Sequence, residues 1–398
     1  MPVVNPQILV WARKSAGYDL ADAAKKLQLN DTQSATGAEK LAAFESGAKP
    51  PSRSLLVRMA KQYRRPLLTF YLSEPPALGD RGEDYRTLSH DIDPSQNAIV
   101  DALVRNIKAR QEIVREALIS ERDRQPLRFV GSYSMDNGVY RLVSLIKETA
   151  GIELDVYRAQ RNQDEAFKYL RGCIENTGVF SLLAGNLGSH HTNLNTEIFR
   201  GFALSDTIAP FVIVNDQDAK TAWSATLLHE VAHLWLGATG ISGDQIERRV
   251  ERFCNEVASE LLLPGSELTA DLILDSLYEL DGAVREIDSY ASSRKVSSRL
   301  VAFRLFQRHA ISQEFFNSLN THFYERWRSE KDKQKEKAQR SPGGPDYYVL
   351  KRLRVGNALV ETSERLLRSR ELSTTEVATV LGVRALKVGS MFSEPKAP

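Results

Sequence analysis

Leu227-Leu228-His229-Glu230-Val231-Ala232-His233-Leu234-Trp235 reads H-E-x-x-H inside a run free of Pro and Gly. Such a run is predicted to be helical. A spacing of four residues puts His229 and His233 on one face, a turn apart, where two imidazoles can hold a single Zn²⁺. Glu230, beside the first histidine, is placed to take a proton from water attacking a carbonyl and to return it to the leaving amine. The plainer alternative is two hydrogen-bonded histidines on a half-buried helix. A third ligand decides between them.

A site of this type needs three protein ligands and an open position. Leu236, Gly237 and Ala238 follow where a metzincin pattern would lead to another histidine, so the third ligand has to come from elsewhere. The next helical stretch, from about 244 to 263, is stopped by Pro264 and Gly265. It offers Glu247, Glu251, Glu256 and Glu260. Glu251 is preferred and Glu247 is second. Asn255 lies a turn beyond Glu251, so one face can give a carboxylate to the metal and an amide oxygen to the distal N–H of a ligand histidine. Val250, Cys254, Val257, Ala258 and Leu261 form a neighbouring apolar side suited to packing on the histidine helix.

The run Phe199-Arg200-Gly201-Phe202, the stretch 211–215, H-E-V-A-H and E-R-F-C-N-E-V-A-S-E-L-L-L-P occur in this order. Over roughly residues 150–310 the chain thereby resembles the ImmA/IrrE-type metallopeptidases. The resemblance implies a zinc-dependent endopeptidase whose substrate is a transcriptional repressor, cut in a stress or mobile-element response. It also implies His229, His233 and Glu251 as ligands and Glu230 as the catalytic carboxylate. Short β-prone runs are expected at 179–183, 199–204 and 211–214. One of the latter two would be the edge along which an extended substrate lies. His190 and His191, in the loop between, are solvated residues or donors to an oxyanion. Cys254 is expected to face the histidine helix as a small buried hydrophobe.

The 398 residues carry a net charge of only +2, so composition argues neither for nor against nucleic acid. A chain of this length suggests two or three domains. The only cysteines, Cys173 and Cys254, are too few for a disulfide framework and fit a reducing compartment. No apolar run reaches spanning length and the first residues lack signal-peptide order, so a cytoplasmic protein without membrane contact is expected.

Residues 1–72 read as short helices with tight punctuation. Their A-K-K-L and F-E-S-G-A-K-P-P runs resemble the helix-turn-helix of Xre/Cro-type repressors. Arg53, Arg58, Lys61, Arg64 and Arg65 would serve phosphate contacts, while Gln33, Ser34, Thr36 and Lys40 are the candidate DNA contacts. The second helix is otherwise poor in base-reading side chains: Ala38, Glu39 and Ala42 stand where Gln, Asn or Arg are usual. A helical docking module without DNA is the competing expectation.

Residues 73–95 are expected to be a Pro/Gly-rich linker, with Asp84, Tyr85 and Arg86 as candidate gating contacts. Residues 96–125 read as a long helix, 139–150 and 165–171 as helices, and 271–290 and 296–308 as a helical pair. In that pair Ser297, Ser298 and Arg299 are either packing groups or nucleic-acid contacts. Residues 347–370 read as one amphipathic helix, followed by the capped run E-L-S-T-T-E.

The expected architecture is therefore α+β and mostly helical. A helix-turn-helix domain (1–72) and linker (73–95) precede a zincin-like peptidase region with a small mixed sheet (96–310). A C-terminal helical module (311–398), suited to sensing or self-association, follows. The expected cofactor is Zn²⁺ and the expected partners are a protein substrate and DNA. The competing function is a DNA-binding regulator or antitoxin that uses a non-catalytic peptidase fold as a sensor.

Overall fold

The computed structural model describes residues 4–76, 94–121, 125–188, 192–196, 198–237, 244–271, 279–340 and 346–392. The expectations for 84–86, His190 and His191 fall outside these residues. Two compact units emerge, Met1–Ile107 with Asn186–Phe199, and Lys108–Gly185 with Arg200–Pro398.

In the first unit α1 (Pro6–Ser15), α2 (Leu20–Lys26), α3 (Gly37–Glu45) and α4 (Arg53–Gln62) are each started by a polar N-cap: Asn5, Asp19, Thr36 and Ser52. Each cap's side-chain oxygen accepts a backbone N–H left over in the first turn. Their apolar faces meet in a core around Ile8, Leu9, Leu27, Leu41, Met59 and Phe70. Arg13 and Glu45 close α1 onto α3 with paired bonds of 2.7 Å and 2.9 Å. The helix α5 (Pro94–Ser120) replaces the expected 96–125.

The second unit runs α6 (Val139–Ala150), α7 (Leu154–Arg158), α8 (Gln163–Asn176), β1 (Phe180–Leu183), β2 (Gly201–Leu204), β3 (Phe211–Val214), α9 (Lys220–Leu236) and α10 (Asp244–Leu262). There follow α11 (Gly265–Asp271), α12 (Leu280–Arg294), α13 (Ser298–Gln307), α14 (Gln313–Arg340), α15 (Tyr347–Val355), α16 (Asn357–Arg368), α17 (Thr374–Leu381) and α18 (Gly389–Phe392). The sheet order is β1-β3-β2, with β1 parallel and β2 antiparallel to β3. β1 and β3 are buried along their whole length; β3 reads as an unbroken apolar run, and β1 departs from one only at the buried Ser181. The fold is α+β, mostly helical, with a small mixed sheet, as expected.

The main core gathers Leu183, Ala203, Val212 and Val214 of the sheet with Leu227, Val231 and Leu234 of α9 and Cys254, Val257 and Leu261 of α10. Leu319 and Phe323 of α14 belong to the same core.

The single helix expected at 347–370 is two. Gly356 lies between them with φ 88°, and a Cβ there would collide with Glu175, Arg171 and Ser181. Those groups form a buried knot: Arg171 pairs with Glu175 at 2.9 Å and donates to the Leu353 and Ser181 carbonyls, while Glu175 accepts Ala358 N–H at 3.2 Å. Ser297, Ser298 and Arg299 each make a bond within the fold. Ser297 caps α13, Ser298 bonds Asp288 at 2.5 Å and Arg299 bonds Asn320 at 2.7 Å. Among the described residues no helix is long and apolar enough to cross a membrane.

Candidate metal centre

The helix α9 is terminated by Gly237 in the left-handed region (φ 62°). Its last carbonyls are taken by a separate segment, Gly131 N–H to Leu234 at 2.9 Å and Tyr133 N–H to Trp235 at 3.0 Å. These bonds satisfy carbonyls that the helix end leaves open, within one turn beyond His233.

Glu251 reaches both histidines from α10. Its two oxygens lie 3.2 Å from His229 Nε2 and 3.2 Å from His233 Nε2, and the two Nε2 atoms are 3.0 Å apart. One ligand atom from each of the three residues fits within 4.8 Å of the others. Three atoms bearing lone pairs thus crowd one point, and a shared proton or a divalent cation satisfies that arrangement. Two imidazole nitrogens and a carboxylate oxygen are a donor set Zn²⁺ accepts, with a fourth position left over.

The electrostatics suit a cation. Burial pushes the His229 imidazole down, toward its neutral form. Burial also acts on His233, but Cys254, Glu251 and Glu230 outweigh it and raise that ring well above the ordinary range. Burial works to raise the Glu251 carboxyl as well, yet hydrogen bonds from both histidines hold it far below the usual carboxylate range.

Glu230 is buried on α9, within electrostatic reach of His233. Gly201 explains how it fits: a Cβ there would lie 2.7 Å from Glu230 Oε1, 2.7 Å from Thr226 Cγ2 and 2.9 Å from the Ile213 carbonyl oxygen. The strand β2 therefore passes the Glu230 carboxylate with no room for a side chain. In the sequence Gly201 stands within the Phe199–Phe202 run with nothing beside it to suggest a role. A glycine interrupting a strand pattern is the available signal, because it marks a close backbone approach.

Asn255, a turn beyond Glu251, is exposed and bears on His229, raising its pKa by a side-chain hydrogen bond. The distal Nδ1 atoms of His229 and His233 have no hydrogen-bond partner among the described residues. Cys254 is fully buried in the core beside His233, as expected, and burial pushes its thiol up. Of the other glutamates, Glu260 pairs with Arg304 and accepts Gly265 N–H at 3.2 Å, while the side chain of Glu247 lies outside the described residues.

The candidate DNA contacts gather at the start of α3. Gln33 and Ser34 are exposed, and Thr36 is the N-cap in a reciprocal box with Glu39. Lys40 Nζ donates to the Asn30 carbonyl at 2.6 Å, and Asp31 accepts Gly37 N–H at 2.7 Å. The carboxylates of Asp31 and Glu39 thus accept backbone N–H groups at the start of the helix.

No curated protein and no solved structure matches the chain. Residues 186–305, which hold Gly201, His229, Glu230, His233 and Glu251, match the family model described as the IrrE N-terminal-like domain, Peptidase_M78, and this marks the stretch as a peptidase-type domain.

Proposed function

We propose that the chain is a zinc-dependent endopeptidase in which His229, His233 and Glu251 hold the metal and Glu230 carries the proton. When bound, zinc supplies a Lewis acid that polarises the scissile carbonyl and lowers the pKa of water to about 7. Glu230 removes the proton from the attacking water and delivers it to the departing amine nitrogen. Its burial beside Gly201 keeps the carboxylate in one orientation through both transfers. The fold around it is zincin-like. β3 is paired with a strand on both sides, so of the two candidate strands only β2 lies at an edge of the sheet among the described residues. An extended substrate segment adds to that edge through backbone hydrogen bonds.

The substrate that fits this role is an exposed loop of a cytoplasmic transcriptional repressor, cut in a stress or mobile-element response. The convergence of the Glu251 carboxylate on both Nε2 atoms carries the proposal. Incubating wild type and Glu230→Gln with the repressor encoded beside this gene tests it. Cleavage by the wild type alone is expected; equal cleavage by both proteins excludes the assignment, and cleavage by neither supports a non-catalytic sensor.

A second reading concerns the N-terminal unit. Lys40 is committed to Asn30, and two carboxylates flank the α3 terminus. This favours a helix-turn-helix scaffold that docks protein over one that reads DNA. Gel shifts over a salt series decide: a bound promoter fragment with a steep salt slope restores the DNA role.

A further inference from the structure

Two positive charges meet over the end of α17 with no negative charge beside them among the described residues. Arg110 projects from α5 and Lys351 from α15. Their Nη2 and Nζ atoms lie 2.8 Å and 2.9 Å from the point a Cβ would occupy on Gly382, the left-handed C-cap of α17. Arg110 Nε is shielded from water and has no hydrogen-bond partner among the described residues. Arg354 adds a third positive charge next to Lys351, but Asp216 neutralises it at 2.8 Å. Burial, together with the like charges of Arg110 and Arg354, brings the Lys351 ammonium down to about 8. Burial alone brings Arg110 down to about 10.

Shielded charges without a counter-charge are costly, and a bound ion is one of the few ways to account for them. The alternative is that the pair simply sits on the negative end of the α17 dipole. That dipole is worth a fraction of a charge, roughly half, against two full ones. A guanidinium fork beside a point-charge ammonium matches a tetrahedral dianion, one edge of which can be gripped by the fork while another oxygen takes the ammonium. A carboxylate would neutralise only one of the two cations.

We propose that Arg110 and Lys351, converging over Gly382, bind a small phosphate-type oxyanion, either inorganic phosphate or the end of a phosphomonoester, that bridges α5, α15 and α17. The site is separate from the His229–His233–Glu251 cluster and couples the C-terminal helices to the concentration of its ligand.

Calorimetric titration and thermal unfolding of the full chain test this, with inorganic phosphate and phenyl phosphate each compared with sodium chloride at equal ionic strength. Saturable binding is expected, with a melting temperature raised by about 3 °C at a hundredfold excess over the dissociation constant. Lys351→Met and Arg110→Met should each abolish both effects. In chloride, Lys351→Met should melt no lower than wild type, because it removes an uncompensated charge; in phosphate, wild type should overtake it. Binding of inorganic phosphate alone identifies the free ion as ligand, and binding of both identifies the phosphomonoester end. The proposal is overturned if neither compound binds, if binding survives both substitutions, or if Lys351→Met destabilises equally in chloride and phosphate. The last result would assign the pair to capping α17.

Discussion

Glu251 and Glu230 divide the work of the centre through their surroundings. Glu251 is held ionised by two imidazoles, whereas Glu230 is buried against the backbone of Gly201. Glu230→Gln should keep metal affinity and lower the cleavage rate about 100-fold or more, as loss of a general base does. Gly201→Ala is expected to lower the rate too, by displacing the Glu230 carboxylate, with metal content unchanged. Retained activity in that variant would show that the close approach is incidental. Away from the centre, burial works to raise the Asp288 carboxyl, but hydrogen bonds from Arg326 and Ser298 and the charges of Arg326 and His322 hold it below the usual range. A folded-state pKa below the unfolded one gives stability that is present at neutral pH and is lost as pH falls through the acid range. Acid unfolding of Asp288→Asn should therefore start from a lower stability at neutral pH and fall less steeply than wild type below about pH 4. Parallel curves would contradict this.

At the scale of elements, the histidine helix was legible because its chemistry and its period agree. H-E-x-x-H sits in a helical run, and Glu251 was found through its one-turn relation to Asn255. What escaped was set by contacts distant in sequence. Gly201 has meaning only once β2 lies beside Glu230, and Gly356 only once α15 and α16 fold over the Arg171–Glu175 pair. Between two helical patterns a lone glycine reads as tolerable, although it is the residue that breaks them. Similarly, the sequence offers Lys40 as a candidate DNA contact but does not show that the turn brings the Asn30 carbonyl within 2.6 Å of it. Gly356→Ala should destabilise the fold by about 1–3 kcal/mol, since it forces a side chain into the left-handed region and against the buried pair. Denaturant midpoints measure this. A change within a few tenths of a kcal/mol would mean that the knot yields freely.

Across the whole molecule, a peptidase-type stretch is joined to a separate N-terminal helical unit and to C-terminal helices anchored by buried charges on α8. Metal should contribute to global stability, because ligands drawn from α9 and α10 meet only in the folded state. Chelation is therefore expected to lower the melting temperature of the wild type and leave Glu251→Ala unaffected. The most direct test of the metal centre is the zinc content of the purified full chain after dialysis against a weak chelator. A single zinc equivalent is expected in wild type and Glu230→Gln, and none in His233→Ala or Glu251→Ala. Zinc retained undiminished by Glu251→Ala would contradict the assignment of the third ligand and, with it, the hydrolase built on it.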